Sequence, residues 1–227
     1  MPERRDKLFG RRKGKPLSPR RAGLLATELP KLAVDTEPAP TADRAAIFPG
    51  SPKHLRLEVG FGGGEHLIAR AVREPDAGFI GVEPFVNGMA KAVAAIVAGG
   101  IENIRLYGGE ASVLLDWLPA ASLDSVDILY PDPWPKKRHW KRRFVTAENL
   151  DRLARVLKPG GVLRFASDIP SYVAWTLALV MRRDDLAWTA EHAADWTNPF
   201  PGWPGTRYEA KALTAGRTPT YLTFRRI

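Results

Sequence analysis

The chain has 227 residues, enough for one globular domain with a segment to spare. It contains no cysteine, which excludes disulfides, a thiol nucleophile and cysteine-ligated zinc. No apolar run approaches the ~20 residues of a membrane helix and the start lacks a signal-like apolar stretch, so a cytoplasmic protein is expected. Lys and Arg number 34 against 25 Asp and Glu, a net charge of +9 with pI 10.0, the electrostatic footprint of a nucleic-acid binder.

Nine of the first 21 residues are Lys or Arg, and proline recurs at 30, 38, 40, 49 and 52. Such composition predicts a mobile basic arm over about 1–20 and an irregular segment to about 52. From Leu55 the pattern alternates. Strands are expected at 55–59, 79–82, 104–107, 126–130 and 162–166, with further strands near 188–192 and 221–225. Helices are expected at 65–73, 86–97, 111–118, 145–157 and 172–181. The Lys158-Pro159-Gly160-Gly161 run ends the fourth of these helices, because proline cannot continue it. Strands alternating with helices predict an α/β domain over 53–227: a seven-stranded, mostly parallel sheet with helices on both faces.

Ligands of open α/β sheets sit beyond the carboxyl ends of the strands, near the switch in strand order. The first strand ends in Glu58-Val59-Gly60-Phe61-Gly62-Gly63-Gly64. A dinucleotide fingerprint would need glycine where Glu65 stands. The acidic-x-G-x-G-x-G pattern instead fits a backbone lying against the methionine part of S-adenosylmethionine. Glu83 ends the second strand, where a carboxylate can accept ribose hydroxyls of either cofactor. Glu110 follows the third strand, as an adenine-side contact or as a carboxylate at a helix N-terminus. The fourth strand runs into Tyr130-Pro131-Asp132-Pro133-Trp134-Pro135-Lys136, in which three prolines rigidly present a carboxylate and an aromatic plane. In the run from Lys136 to Arg143 six of eight residues are Lys or Arg, with Trp140 interleaved, a pattern suited to phosphates. The four histidines show no metal-ligand spacing. Asp132-Pro133-Trp134 is also one proline short of the motif of amino-methyltransferases, so an exocyclic amine is the alternative acceptor. A non-catalytic RNA-binding module is the alternative to an enzyme.

Taken together, Leu57–Gly62, Gly81–Pro84, Pro131–His139, Lys141–Arg143, Leu157–Gly161, Ser167-Asp168 and Thr206-Arg207-Tyr208-Glu209 resemble the bacterial branch of the tRNA (guanine-N7-)-methyltransferase family over residues 53–227. The Pro-Asp-Pro-Trp-Pro-Lys-Lys-Arg-His run is the most specific of these. The resemblance implies a class I S-adenosylmethionine-dependent methyltransferase fold of Rossmann-like type. It also implies methylation of N7 of a variable-loop guanine in tRNA, by a monomer or homodimer with no obligatory protein partner. It assigns Glu58, Gly60, Glu83, Glu110 and Asp132 to the cofactor, with Asp132 also the catalytic carboxylate. Lys136, Asp168, Thr206, Arg207, Tyr208 and Glu209 would hold the guanine. Arg138, His139, Trp140, Lys141, Arg142 and Arg143 would touch the RNA. The chain departs from the common pattern at Glu110 (more often Asp or Asn), at Trp140 (more often His), and at Arg207-Tyr208 (more often Lys-Phe).

Overall fold

The computed structural model describes residues 9–38, 47, 48 and 50–227. Seven strands form one sheet: β1 His54–Val59, β2 Ala77–Val82, β3 Ile104–Tyr107, β4 Leu123–Leu129, β5 Leu157–Ser167, β6 Leu186–Trp188 and β7 Thr220–Arg226. Their order is β3-β2-β1-β4-β5-β7-β6. The pairs among β1 to β5 are parallel, and β7 lies antiparallel between β5 and β6. The order reverses between β1 and β4, which places the switch-point crevice at the ends of those two strands.

Helices cover both faces, as the alternation predicts. One face packs Leu57, Val59, Ile128 and Phe165 under α4 (Ala111–Trp117), α5 (Ala147–Val156) and α6 (Pro170–Val180). The other packs Phe79 and Leu106 under α2 (Glu65–Arg73) and α3 (Val86–Gly99). Near β1 and β4 this second face is polar: Arg70 of α2 donates to Asp127 at 2.9 Å, between Arg56 and Arg164. Leu67 and Ala71 of α2 are buried while Glu65 and Arg73 meet solvent, the split that its apolar spacing predicts. No helix of the described residues is long and apolar enough to cross a membrane.

The largest departure from the sequence reading lies at the N-terminal end. Residues 19–32, expected to be irregular, form helix α1 (Pro19–Leu32). Ser18 caps it by accepting from the amide of Arg21, and Pro19 occupies the first turn, where no amide partner is lost. Leu25, Leu29 and Leu32, spaced i, i+4, i+7, pack on the second core cluster beside α3. The chain then bridges to β3, with the amide of Val34 donating to Leu106 at 2.9 Å. Proline content concealed this stripe: Pro19 stands in the first turn, where no amide partner is lost, and the helix ends two residues after Pro30, which lies in its last turn. The parts of the expected arm and irregular segment at 1–8, 39–46 and 49 lie outside the described residues.

Smaller differences follow local geometry. Lys158–Gly161 belongs to β5, which starts directly after α5, and Gly160 adopts φ +78° to allow it. Two further helices, α7 (Ala194–Thr197) and α8 (Arg207–Thr214), and a 3₁₀ helix at Lys137–Arg142 complete the chain.

Candidate cofactor cradle and candidate guanine-side residues

Glu58, Glu83, Glu110 and Asp132 stand at or just past the carboxyl ends of β1, β2, β3 and β4. Because those strands are neighbours in the order β3-β2-β1-β4, the four carboxylates are ranged along one end of the sheet. The loop between β1 and α2 turns through Gly60 at φ +76°, Gly62 at +59° and Gly64 at +82°, which only glycine adopts without strain. It is fixed from β2: the Gly62 amide donates to Oε2 of Glu83 at 2.7 Å, and the Phe85 amide to Oε1 at 2.9 Å. Burial pushes the Glu83 carboxyl above the usual carboxylate range, and these two amides oppose it. Each oxygen keeps a lone pair for a ribose hydroxyl. A Cβ on Gly60 would meet nothing within 4 Å, so the loop backbone is open to a ligand there. These features fit the adenosyl and methionine parts of S-adenosylmethionine.

Gly88, in the first turn of α3, packs against this loop. A Cβ on it would meet the Gly62 carbonyl oxygen far inside van der Waals contact. Alanine favours a helix over glycine by about 1 kcal/mol, whereas forcing a methyl group into a packed contact costs about 1–3 kcal/mol. The clash wins. Gly88→Ala is expected to displace the glycine loop and weaken cofactor binding about tenfold, measured by titration calorimetry.

Glu58 lies deeper than a simple contact residue. It is 4% exposed, and Nδ1 of the equally buried His66 lies 2.7 Å from its Oε2. Burial pushes its carboxyl up and His66 opposes that. Glu110, at the N-cap of α4, faces Arg12 across 3.5 Å. Arg12 belongs to the expected mobile arm, whose residues 9–15 are irregular yet anchored. The carbonyl of Arg12 accepts from Val86, and Asn87 binds both Gly14 and Lys15 at 2.7 Å. Gly10 lies beside Asp132, where an added Cβ would sit 3.5 Å from Oδ2.

The loop after β4 is strained. Tyr130 and Trp134 hold φ of +50° and +42°, unusual for side chains of their bulk. They flank Asp132, whose side chain is exposed. Arg143 secures the loop, and here the expectation of an RNA contact is corrected. Arg143 is 2% exposed; it donates to the Pro133 carbonyl at 3.1 Å, to the Ser171 carbonyl at 2.9 Å and to Ser171 Oγ at 3.1 Å. Its guanidinium stacks on Trp140 and Tyr172 at 4.4 and 4.6 Å. Trp140, also expected at the RNA, is half-buried with its edge on Trp175. Lys136, Arg138 and Lys141 are exposed, and His139 stands edge-on to Trp134 at 6.0 Å. The Arg142 guanidinium lies 5.0 Å from the Trp134 ring and 5.2 Å from that of Phe9.

The segment Thr206–Glu209 begins α8. Thr206 and Glu209 form a reciprocal capping box. Arg207 and Tyr208 are exposed, with the Arg207 guanidinium 5.2 Å from the Tyr208 ring. Tyr208 overhangs the glycine loop, where a Cβ on Gly62 would lie 3.5 Å from its Cε2. Glu209, expected to reach guanine, is buried and bonded to Trp203, Tyr221 and Thr206. Asp168, past the end of β5, accepts from Nε of Arg217 at 2.6 Å. His66, Trp203, Arg217 and Arg12 thus join the candidate site, and sequence reasoning missed them. They reach their partners through the fold, and no local pattern marks them.

A family model described as "Putative methyltransferase" matches residues 52–222. Among curated relatives, a tRNA (guanine-N(7)-)-methyltransferase of Rhizobium meliloti is 60% identical, covering 97% of this chain and 95% of its own. One of Rhizobium etli is 56% identical, covering 98% and 96%. Among solved structures, the aminoglycoside resistance methyltransferase NpmB1 superposes with a TM-score of 0.54 at 19% identity, over 83% of this chain and 94% of its own, a likeness of fold. With this identity over nearly its full length, the chain belongs to the tRNA (guanine-N7-)-methyltransferase family.

Proposed function

We propose that this chain transfers a methyl group from S-adenosylmethionine to N7 of a guanine in the variable loop of tRNA, in the cytoplasm and without an obligatory protein partner. The observation that carries the reading is the convergence of two sets of residues on the glycine loop. Glu83 of β2 holds it through the Gly62 amide with Glu58 at its root in β1, and Tyr208 of α8 overhangs Gly62. Bound S-adenosylmethionine supplies an electrophilic sulfonium methyl. Glu83 would hold the ribose, Glu110 the adenine side, and Gly60 and Glu58 the methionine side.

Guanine N7 has a free lone pair and no proton, so the chain needs no general base. What it supplies is position and charge. Holding two reactants in line can be worth about 7–11 kcal/mol. The rigid loop around Asp132 presents a carboxylate where the purine gains positive charge, a contact that strengthens in the transition state. Asp168, fixed by Arg217, offers its remaining lone pairs to the N1–H and N2–H₂ edge that distinguishes guanine from adenine. Tyr208 offers a ring face to the splayed base, and Lys136, Arg138, Lys141 and Arg142 offer cations to phosphates.

The test is transfer of radiolabelled methyl from S-adenosylmethionine to unmodified tRNA transcripts, with nucleoside identification. Label in 7-methylguanosine of the variable loop is expected. Label in an N2-methylated guanine would move the acceptor to the exocyclic amine. Absence of label despite cofactor binding would reject the substrate.

A further inference from the structure

We propose that Trp203 is a positioning residue that ties the guanine-side turn of α8 to the cofactor loop, so that the two halves of the site are set by one continuous contact chain. The inference rests on the reading of Thr206–Tyr208 as the guanine side.

The chain of contacts is continuous. Glu58, at the root of the glycine loop, is held by His66 at 2.7 Å. The His66 ring lies tilted against the Trp203 indole, with centroids 4.9 Å apart. Nε1 of Trp203 donates to Oε2 of Glu209 at 2.7 Å. That same oxygen accepts the Thr206 amide at 3.3 Å, closing the cap from which Arg207 and Tyr208 project. Oε1 of Glu209 accepts from the Tyr221 hydroxyl on β7. Phe200 and Tyr221 meet the indole edge-on at 5.6 and 5.9 Å, so its plane is fixed on more than one side.

The geometry explains why Glu209 is buried. A carboxylate that served the base directly would face the crevice; this one spends its acceptors on Trp203, Thr206 and Tyr221 and is 8% exposed. Its effect on guanine is therefore exerted through the turn that it caps. Without the indole donor, Oε2 keeps only the long bond from Thr206, and the first turn of α8 gains freedom to swing relative to Gly62. A shift of about 1 Å at a reacting centre can cost about a hundredfold in rate.

The discriminating variant is Trp203→Phe, which keeps an aromatic ring between His66, Phe200 and Tyr221 and removes the donor. The expected result is a kcat for tRNA methylation lowered about tenfold or more. The dissociation constant for S-adenosylmethionine should stay within about twofold, and the melting temperature should fall by no more than about 12 °C, as for one hydrogen bond lost from a carboxylate. Glu209→Met, which keeps the length of the side chain and removes both acceptor oxygens, should likewise lower kcat with cofactor affinity kept, and the double variant should be little worse than the worse single one, because both cut the same link. An unchanged kcat in Trp203→Phe overturns the proposal, as does equal loss of cofactor affinity and kcat, which would mean general packing damage. If Trp203→Phe does not fold, Glu209→Met carries the same test alone. Arg207→Ala combined with Tyr208→Ala separates the two readings. Full turnover in that variant removes the guanine assignment itself. Lost turnover there, with normal Trp203→Phe, removes only the positioning role.

Discussion

Asp132→Ala is expected to lower the rate of methyl transfer under saturating cofactor and tRNA by about 10²–10³-fold, the range for loss of one preorganised electrostatic contact. Binding of tRNA should change no more than a few-fold. The distinction follows from where the charge appears. Free guanine is neutral, so Asp132 gains little from it in the ground state. The alkylated ring is cationic, so the carboxylate acts mainly on the transition state. The fold should not suffer. Asp132 is exposed, and among the described residues no hydrogen bond or ion pair holds its side chain. The strained backbone around it is maintained by Arg143 and the flanking prolines. Single-turnover transfer beside filter binding of tRNA gives both numbers. A rate within threefold of the parent, with tRNA affinity intact, would remove Asp132 from the chemistry. Asp132→Asn sharpens the test, because it preserves shape and polarity and removes only the charge. It should fall close to the alanine variant.

The parallel body of the sheet was legible because its signals are local. Buried strands read as short apolar runs, and the glycines after β1 stand where the backbone must take positive φ. The elements that escaped obey non-local causes. Helix α1 was hidden by its prolines and basic residues, since Leu25, Leu29 and Leu32 matter only once the partner face of α3 is known. The Thr206-x-x-Glu209 spacing is itself a helix-start signature. It was legible in principle, but these residues were assigned to the guanine and their capping role was passed over. The carboxylates proposed for the cofactor were legible because each stands at or just past a strand end. Glu58 is joined by His66 eight residues on, across a turn, and nothing in the spacing announces a 2.7 Å contact. Burial is what composition conveys least. Arg143 and Arg142 are neighbours in one charge run, and sequence alone gives them the same role.

The structure separates those two arginines, and their variants should fail in opposite ways. Arg143→Ala removes three hydrogen bonds from a buried guanidinium and leaves the Pro133 and Ser171 carbonyls without that donor. It also empties the space between Trp140 and Tyr172. Hydrogen bonds to a charged group contribute about 1.5–3 kcal/mol each and are not additive, and desolvated cation–π contacts contribute about 2 kcal/mol. A total loss of about 3–5 kcal/mol is expected, against a typical stability of about 5–15 kcal/mol for a whole domain. For a chain of this length that is a fall in melting temperature of roughly 6–20 °C. Arg143→Lys should recover little, since an ammonium cannot span Pro133 and Ser171 as a planar fork does. Arg142→Ala should lower the melting temperature far less, because its half-buried guanidinium rests against the rings of Trp134 and Phe9. It should instead weaken tRNA binding and reduce the salt dependence of the affinity by about one unit of log–log slope, the mark of one lost phosphate contact. Thermal melts and tRNA titrations at several salt concentrations measure both effects. A stable Arg143→Ala protein with a reduced salt slope would return Arg143 to the RNA surface. A destabilised Arg142→Ala protein with an unchanged slope would take Arg142 off it.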